Sequence, residues 1–372
     1  MFCTSVMSSA SRASPPPWYT HLTLDLLLHV GSYTLFHPFV ASLIPLCLRA
    51  LAAEYTSTSF IITSAYAVFV ILCHILSAVN QRWAYGPPRK VKSLDEVVVV
   101  TGGASGLGRC IAEIYAMKGT SVAVVDVATK ESEEGEREGI RWYGGDVGNT
   151  RMMDQLWKRI SQDLGTPTVL INNAAVVNGK PFLSLTAEEV EETFRINTMS
   201  HFHLTSLFLR PLLATNTPGT LVTVSSILGR LGASNLSAYT ASKAAAIAFH
   251  TSLAAELRPS SPQIKTILVT PGQLDTAMFS HIKLDWFRNF FGPVVEVREL
   301  AMKIVKTVDA GEGGTIAVPF FASALAWQQV LPKAVQNWLK RWSGADTAMM
   351  APQERLVDEK AVGDSDGENE SE

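Results

Sequence analysis

From residue 96 onward, short runs of apolar and β-branched residues alternate with longer segments that have the length and polarity of helices. Most apolar residues of these runs are consecutive rather than at every second position, and glycine, proline or polar residues bound the runs. Continuous apolar runs are typical of parallel strands that helices cover on both faces. The pattern therefore predicts an α/β fold with a doubly wound, Rossmann-type, seven-stranded parallel sheet. The seven predicted strands are EVVVV, SVAVVDV, IRWYGGDV, TVLINNAA, GTLVTVSS, IKTILVTPG and GTIAVP.

Two apolar stretches precede the predicted sheet. The first, residues 22–52, is interrupted by Asp25, Pro38 and Arg49, so an interfacial or re-entrant segment is an alternative to a spanning helix. The second, residues 57–79, contains no Asp, Glu, Lys or Arg. It is long enough to cross a hydrocarbon core of about 30 Å, although a buried core helix has the same composition. We therefore expect one or two N-terminal membrane helices.

The charges that flank the second apolar stretch predict its orientation. Arg82, Arg89, Lys90 and Lys92 follow it, whereas Glu54 precedes it. Basic residues are enriched on the cytosolic side of membrane helices. The sequence thus predicts that everything after residue 82 faces the cytosol.

Composition divides the chain into four segments. Residues 1–90 form a Ser/Pro-rich tail and a membrane anchor, and residues 91–320 form the predicted catalytic domain. Residues 321–345 are rich in aromatic and basic residues, which fits either a docked helix or a second membrane contact. Residues 346–372 are predicted to be disordered, since eight acidic residues and only two basic ones follow residue 351.

Charge and cysteine usage exclude several functions. The net charge of −3 argues against a nucleic-acid partner. The four cysteines lack the paired spacing of a disulfide framework or a zinc site. His201 and His203 stand two residues apart, but no further ligands accompany them, so we predict packing roles and no metal.

A glycine-rich turn follows the first predicted strand in TGGASGLGRC. Gly102, Gly106 and Gly108 would allow a tight turn and a close approach of the backbone to a pyrophosphate at a helix N-terminus. Asp126 ends the second predicted strand, where a carboxylate accepts hydrogen bonds from ribose hydroxyls and repels a 2′-phosphate. Because Ser105 and Val127 stand where a basic residue could receive that phosphate, the sequence favours NAD(H), with NADP(H) as the alternative.

Tyr239 and Lys243 stand four residues apart in SAYTASKAAA, so both side chains leave one face of a helix. An amphipathic surface pair would have the same spacing. A phenol needs a nearby positive charge to act as a base at neutral pH, and an ammonium one turn away supplies it. The pair is therefore a candidate acid/base unit.

These motifs, in this order, resemble the short-chain dehydrogenase/reductase family over residues 95–320. The glycine motif TGxxxGxG matches residues 101–108, Y-x-x-x-K matches Tyr239 and Lys243, and P-G-x-x-x-T ends at Thr276. The resemblance implies an NAD(P)-dependent oxidoreductase whose catalytic residues are Ser226, Tyr239, Lys243 and Asn197. It implies cofactor contacts from Tyr239 and Lys243 and from Gly102, Ser105, Gly106, Leu107, Gly108, Asp126, Asp146, Val147, Asn173, Pro271, Leu274 and Thr276.

By this resemblance, Ser226 would hydrogen-bond the substrate oxygen, and Asn197 would join a water-linked proton path to Lys243. Asp146 resembles the acid at the adenine amine, although an acid that closes a strand is the plainer alternative. Asn173 resembles the residue at the adenosine ribose, with a turn asparagine as the alternative. Ala175 departs from the usual glycine of the N-N-A-G element and adds a methyl group near the cofactor.

The substrate side is predicted to be apolar. Residues 277–297 are dense in Phe, Trp, Met and Ile, and in this family that segment covers the substrate. Together with the anchor, the chain resembles a membrane-anchored branch that acts on retinoids and steroids at the endoplasmic reticulum or the lipid droplet. The alternatives are an NADPH-dependent biosynthetic ketoreductase and a non-catalytic membrane scaffold. Oligomers are usual in the family, so the resemblance leaves open whether this chain forms a homo-oligomer.

Overall fold

The computed structural model describes residues 22–129, 135–137, 139–276, 286–328 and 330–343. Three predicted segments lie outside these residues: the Ser/Pro-rich N-terminal tail, the acidic C-terminal tail, and residues 277–285 of the segment expected to cover the substrate. All seven predicted strands are confirmed, and neighbouring members run parallel. They are β1 (Val97–Thr101), β2 (Ser121–Asp126), β4 (Ile140–Gly144), β5 (Val169–Asn172), β6 (Gly219–Val224), β7 (Ile264–Pro271) and β8 (Gly314–Val318).

An eighth strand, β3 (Gly135–Arg137), pairs antiparallel with β4 at the sheet edge. The sequence pattern did not predict it, because its residues Gly-Glu-Arg form no apolar run. The strand order is β3-β4-β2-β1-β5-β6-β7-β8, so the chain reverses its direction of travel across the sheet between β1 and β5. Ligands of such sheets bind outside the carboxyl ends of the strands at this reversal.

Helices cover both faces of the sheet. Helices α4 (Gly106–Met117) and α10 (Val297–Asp309) pack together on one face. Helices α5 (Thr150–Leu164), α7 (Ser200–Ala214) and α8 (Ser237–Ser260) cover the other. The central strands β1, β2, β5, β6 and β7 are almost entirely buried, as predicted for a two-sided sheet. The remaining helices of the described part of this domain are α6 (Ala187–Phe194), α9 (Trp286–Phe291), α11 (Phe320–Gln328) and α12 (Lys333–Ser343).

Three helices precede the sheet: α1 (Leu24–Tyr33), α2 (Pro38–Ala50) and α3 (Thr58–Tyr85). Helix α3 has 28 residues and is long and apolar enough to cross a membrane. Helices α1 and α2 meet the same criterion only as a pair, with a bend of 58° between them. Most large apolar side chains of these helices are exposed, as expected of surfaces that lipid would cover.

The last turns of α3 are hydrogen-bonded to the α/β domain that contains the sheet. The Gln81 side chain donates to the carbonyl of Gly313 at 2.8 Å. Arg258 donates to the carbonyl of Trp83 at 2.6 Å, and Lys265 donates to that of Tyr85 at 3.0 Å. These contacts fix the orientation of the α/β domain relative to α3.

A buried ion pair joins the segment after α3 to the sheet. The guanidinium of Arg89 makes two hydrogen bonds to the Glu96 carboxylate, at 2.8 and 3.1 Å, and its Nε donates to Thr220 at 2.7 Å. Both charged residues are less than a tenth exposed. Buried charges persist only when they are paired and hydrogen-bonded, so this contact locks the linker onto β1 and β6.

The N-terminal helices also reach the far end of the chain. Both carboxylate oxygens of Asp25 lie 3.0 Å from the backbone N–H of Phe320, the first residue of α11. Helix α1 contacts α9 as well. The first and last apolar segments of the described chain are therefore neighbours.

Candidate active site

The turn between β1 and α4 has the backbone geometry that its glycines predict. Gly102 and Gly106 adopt φ values of +65° and +54°, which L-residues with a side chain rarely adopt. Ser105 precedes the first turn of α4, and the Leu107 side chain is buried beneath it. The N-terminus of a 12-residue helix thus faces the switch point of the sheet, where its free N–H groups favour an anion.

Gly108 closes this turn against its neighbours. A Cβ atom there would lie 2.3 Å from the carbonyl oxygen of Gly102 and 2.6 Å from Nδ2 of Asn173. The Asn173 amide donates to the carbonyls of Thr101 and Gly102, at 3.0 and 2.9 Å. Asn173 therefore holds the glycine turn in shape, and its ribose contact stays a prediction.

Asp126 lies at the end of β2, beside the glycine turn. Its carboxylate accepts hydrogen bonds from the backbone N–H groups of Ala104 and Ala128, both at 2.9 Å. A carboxylate has about four lone-pair sites, so acceptor positions remain for ribose hydroxyls. The neighbouring Val127 side chain is exposed and uncharged, as the prediction of NAD(H) requires.

Asp146 follows β4 and is engaged by the protein itself. One carboxylate oxygen accepts from the N–H of Gly148 at 2.8 Å, and the other pairs with Arg195 at 2.8 Å. Val147, which stands between Asp146 and Gly148 in the chain, is buried. The predicted adenine contact of Asp146 stays a prediction, and Arg195 is a partner that sequence spacing did not reveal.

The segment after β7 lies over the glycine turn. The backbone N–H of Gly272, next to Pro271, donates to the carbonyl of Val318 at 2.7 Å. Leu274 forms a β-bridge with Val295. The methyl carbon of Thr276 comes within 3.5 Å of a Cβ built at Gly106. The two predicted cofactor motifs, separated by more than 160 residues in the chain, therefore meet in the fold.

The predicted catalytic phenol and hydroxyl are hydrogen-bonded to each other. The side chain of Tyr239, in the first turn of α8, bonds that of Ser226, just after β6. Ser226 also accepts from the N–H of Leu228 at 3.1 Å. Both residues are less than a tenth exposed. This arrangement places two hydroxyl groups where one substrate oxygen could contact both.

Lys243 lies one turn further along α8, with its Nζ 5.9 Å from the centre of the Tyr239 ring. Nζ donates to the carbonyl of Val224 at 3.1 Å. Burial lowers the pKa of Lys243 to about 8. Burial also raises the pKa of Tyr239 to about 12, and the bond with Ser226 only partly opposes this rise. The expected depression of the phenol pKa is therefore not seen in the protein alone, because desolvation outweighs the hydrogen bond with Ser226.

Asn197 lies in a π-helical turn, residues 195–199, between α6 and α7. Its side chain accepts from the N–H of Val176 at 2.8 Å and donates to the carbonyl of Val176 at 2.9 Å. It also lies 3.1 Å from the Ser242 hydroxyl, next to Lys243. π-Turns within helices are frequent at functional sites. Asn197 thus holds the loop after β5 against α8, and its predicted path to Lys243 is not tested.

His201 and His203 occupy different environments. His203 lies 3.1 Å from Asp154 of α5 and takes part in helix packing. His201 is buried, and sequence reasoning gave it a packing role, but the ring lies near Lys243 and His250. Within the described residues, His, Cys, Asp and Glu side chains form no cluster suited to a metal ion.

These residues lie at the carboxyl ends of β1, β2, β4, β5, β6 and β7, along one edge of the sheet. The site offers a dinucleotide a glycine turn, a helix N-terminus and the Asp126 carboxylate, which can accept hydrogen bonds from ribose hydroxyls. The Ser226–Tyr239–Lys243 group lies further along the same edge. The arrangement is suited to moving a proton at a substrate oxygen next to a bound cofactor.

Comparison with known proteins agrees with this geometry. The family model for short chain dehydrogenase matches residues 96–285. Short-chain dehydrogenase/reductase family 16C member 6 of Bos taurus is 31% identical, over 72% of this chain and 87% of its own length. Human retinol dehydrogenase 10 is 28% identical, over 75% of this chain and 90% of its own.

The fold also matches solved structures. A 4-hydroxyisoleucine dehydrogenase complexed with NADH superposes with a TM-score of 0.54 at 19% identity, covering 60% of this chain and 96% of that one. At this identity the likeness concerns the fold. Family model, curated relatives and site geometry agree: the chain belongs to the short-chain dehydrogenase/reductase family and is an oxidoreductase.

Proposed function

We propose that this protein is a membrane-attached oxidoreductase that transfers a hydride between a nicotinamide cofactor and a lipophilic alcohol or its carbonyl, of retinoid, steroid or other lipid type. The observation that carries the proposal is the hydrogen-bonded Tyr239–Ser226 pair, with Lys243 one turn away, on the strand ends that also carry the glycine turn.

The bound nicotinamide would accept or supply the hydride at its C4 carbon. Tyr239 would take the proton from the alcohol oxygen during oxidation, or give it to the carbonyl oxygen during reduction. Ser226 would donate a hydrogen bond to the same oxygen and stabilise its developing charge. The ammonium of Lys243 would bind the cofactor ribose and, together with the positive ring of the oxidised cofactor, offset the high pKa that burial gives Tyr239.

Residues at the other end of the cleft would hold the dinucleotide. The glycine turn and the α4 N-terminus suit the pyrophosphate, and Pro271, Leu274 and Thr276 close over it. Asp126 supports NAD(H) over NADP(H), because its carboxylate would repel a 2′-phosphate next to an uncharged Val127. Asp146, Val147 and Asn173 border the adenosine end.

Two observations support a lipid-like substrate. A curated relative is named retinol dehydrogenase 10. The segment expected to cover the substrate is apolar, and its described part includes Phe290 and Phe291, whose rings meet edge to face. An apolar cover favours an apolar ligand.

Helix α3 and the bent pair α1–α2 support membrane attachment. Helix α12 presents Val335 and Trp338 as exposed apolar side chains, and the bond from Phe320 to Asp25 brings the start of this C-terminal region next to α1. We propose that α11–α12 is a second membrane contact beside the first. The proposed location is the endoplasmic reticulum or the lipid droplet, with the catalytic domain in the cytosol and no nucleic-acid partner.

The test compares Tyr239→Phe with Tyr115→Phe in full-length, detergent-solubilised protein. Tyr115 is equally buried, and its hydroxyl has no hydrogen-bond partner in the described part of the chain. Removal of this hydroxyl should therefore leave turnover unchanged. Each protein is incubated with NAD⁺ or NADP⁺, all-trans-retinol, a 17β-hydroxysteroid and a lipid extract, and products that differ by two hydrogens are identified by mass. Tyr239→Phe should lower kcat by roughly 10²–10⁴-fold without weakening NADH binding.

Unchanged turnover in Tyr239→Phe would reject Tyr239 as the proton-transfer residue. A wild-type preference for NADPH of more than about tenfold, or about 1.4 kcal/mol, would contradict the role given to Asp126. Bound cofactor without turnover of any apolar alcohol or ketone would instead favour a scaffold.

A further inference from the structure

The histidine behind the catalytic lysine is buried with both ring nitrogens unsatisfied. His201 is 1% exposed, and within the described residues neither Nδ1 nor Nε2 has a hydrogen-bond partner. Each ring nitrogen of an imidazole is either a hydrogen-bond donor or a hydrogen-bond acceptor. Leaving such atoms without partners destabilises the folded state, so native proteins satisfy them with protein groups or ordered water.

Neighbouring contacts fix the direction in which His201 points. Three residues earlier, the Thr198 hydroxyl donates to the carbonyl of Ser242 on α8, at 2.9 Å. Four residues later, Thr205 lies 3.4 Å from Nδ2 of Asn172 on β5. Residues three and four apart share a helix face. His201 therefore lies in the layer between α7, α8 and the sheet, where the charge of Lys243 acts on its ring.

Other polar groups share this layer. His250, two turns after Lys243 on α8, contacts the Thr223 hydroxyl of β6 at 2.9 Å. Asn172 pairs in register with Thr223, and its buried Oδ1 lacks a partner in the described structure, like the His201 ring. The titratable groups that face His201 are Lys243 and His250, both from α8. His203 points to Asp154 instead.

We propose that His201 anchors an internal water site that solvates the Lys243 ammonium on the side away from Tyr239. An ammonium has three donors, and the carbonyl of Val224 accepts only one of them. A water molecule that donates to the acceptor nitrogen of the His201 ring and to Asn172 Oδ1 would accept from another, since buried water typically makes about three hydrogen bonds to such groups. His201 is thus a positioning residue that acts through Lys243.

The imidazole suits this task because it stays neutral. Burial, with smaller effects from Lys243 and His250, lowers the pKa of His201 to about 3. A neutral ring accepts a hydrogen bond without placing a second positive charge beside the ammonium. Water there would oppose the lowering of the Lys243 pKa by burial, because it would solvate the charged form of the side chain.

The inference rests on the proposed function in one respect, the binding of the cofactor ribose by Lys243. The test therefore uses NADH or NADPH, whichever the wild type binds, and needs no substrate. Cofactor affinity is measured by fluorescence across pH in wild type, His201→Leu and His201→Gln. Affinity should decline as Lys243 loses its proton, and the midpoint should fall by about one pH unit in His201→Leu. His201→Gln keeps a donor and an acceptor and should stay within about 0.3 unit of wild type.

A midpoint that does not move in His201→Leu would reduce His201 to a packing residue and overturn the proposal. Should His201→Leu fail to fold, a crystal structure of the wild type with ordered water decides. Water density hydrogen-bonded to both His201 and Lys243 is the expected result, and its absence from well-ordered density there would refute the site. Neither outcome depends on which alcohol the enzyme oxidises.

Discussion

At the scale of single residues, Gly108 is a position in the predicted cofactor turn at which one added methyl group should be harmful. A Cβ there would come within 2.3 Å of a backbone carbonyl, which cannot move aside as a flexible side chain would. We expect Gly108→Ala to destabilise the protein by about 1–3 kcal/mol and to weaken NADH binding at least tenfold. Thermal denaturation and NADH fluorescence measure the two effects.

Gly232→Ala is the matched control, because nothing lies within 4 Å of a Cβ at that position. This variant should behave like wild type in both measurements. Equal NADH affinity in the two variants would show that the turn tolerates a side chain at position 108, which would contradict the expected clash with the Gly102 carbonyl.

Site residues that belong to a local motif could be predicted from sequence, and long-range partners could not. Ser226, Tyr239 and Lys243 stand at fixed separations, and the structure brings Ser226 and Tyr239 into contact. The pairing of Asp146 with Arg195 joins residues 49 positions apart, so no spacing rule reveals it. The unsatisfied ring of His201 is equally invisible in sequence, because burial without a partner is a property of the packed interior.

At the scale of elements, the segment between α3 and β1 depends on one buried ion pair. Arg89→Met would leave the Glu96 carboxylate buried without its cation and Thr220 without its donor. Breaking a buried pair from one side typically costs about 3–5 kcal/mol. We expect the free energy of unfolding to fall by that amount in urea titrations of the catalytic domain's fluorescence.

Lys92→Met provides the control for this prediction. Lys92 lies 3.7 Å from Asp95, and both side chains are largely exposed. Such surface pairs contribute only about 0–1 kcal/mol, so this variant should unfold almost like wild type. A similar small loss in Arg89→Met would mean that the pair does not secure the segment.

The strands were predictable because parallel strands buried on both faces are apolar throughout, whereas two other elements carry no such signal. Strand β3 is short and polar and lies at the sheet edge. The π turn that carries Asn197 depends on side-chain bonds to Val176 and Ser242, which lie 21 and 45 residues away. Helical periodicity gives no indication of either feature.

At the scale of the whole molecule, the charges around α3 predict where the catalytic domain lies. If this domain is cytosolic, the sequon at Asn235 should carry no glycan, although it lies at a partly exposed turn. In sealed vesicles from the endoplasmic reticulum, added protease should degrade the domain while the vesicles remain intact. Glycosidase-sensitive mass at Asn235, or protection from the protease, would reverse the predicted orientation.

The hydrogen bonds that Gln81, Trp83 and Tyr85 share with the catalytic domain have a mechanical consequence. Since successive residues of an α-helix are about 100° apart around its axis, one residue inserted into the middle of α3 would swing the whole domain through that angle. The number of residues in α3 thus sets the direction in which the candidate active site faces around the axis of that helix.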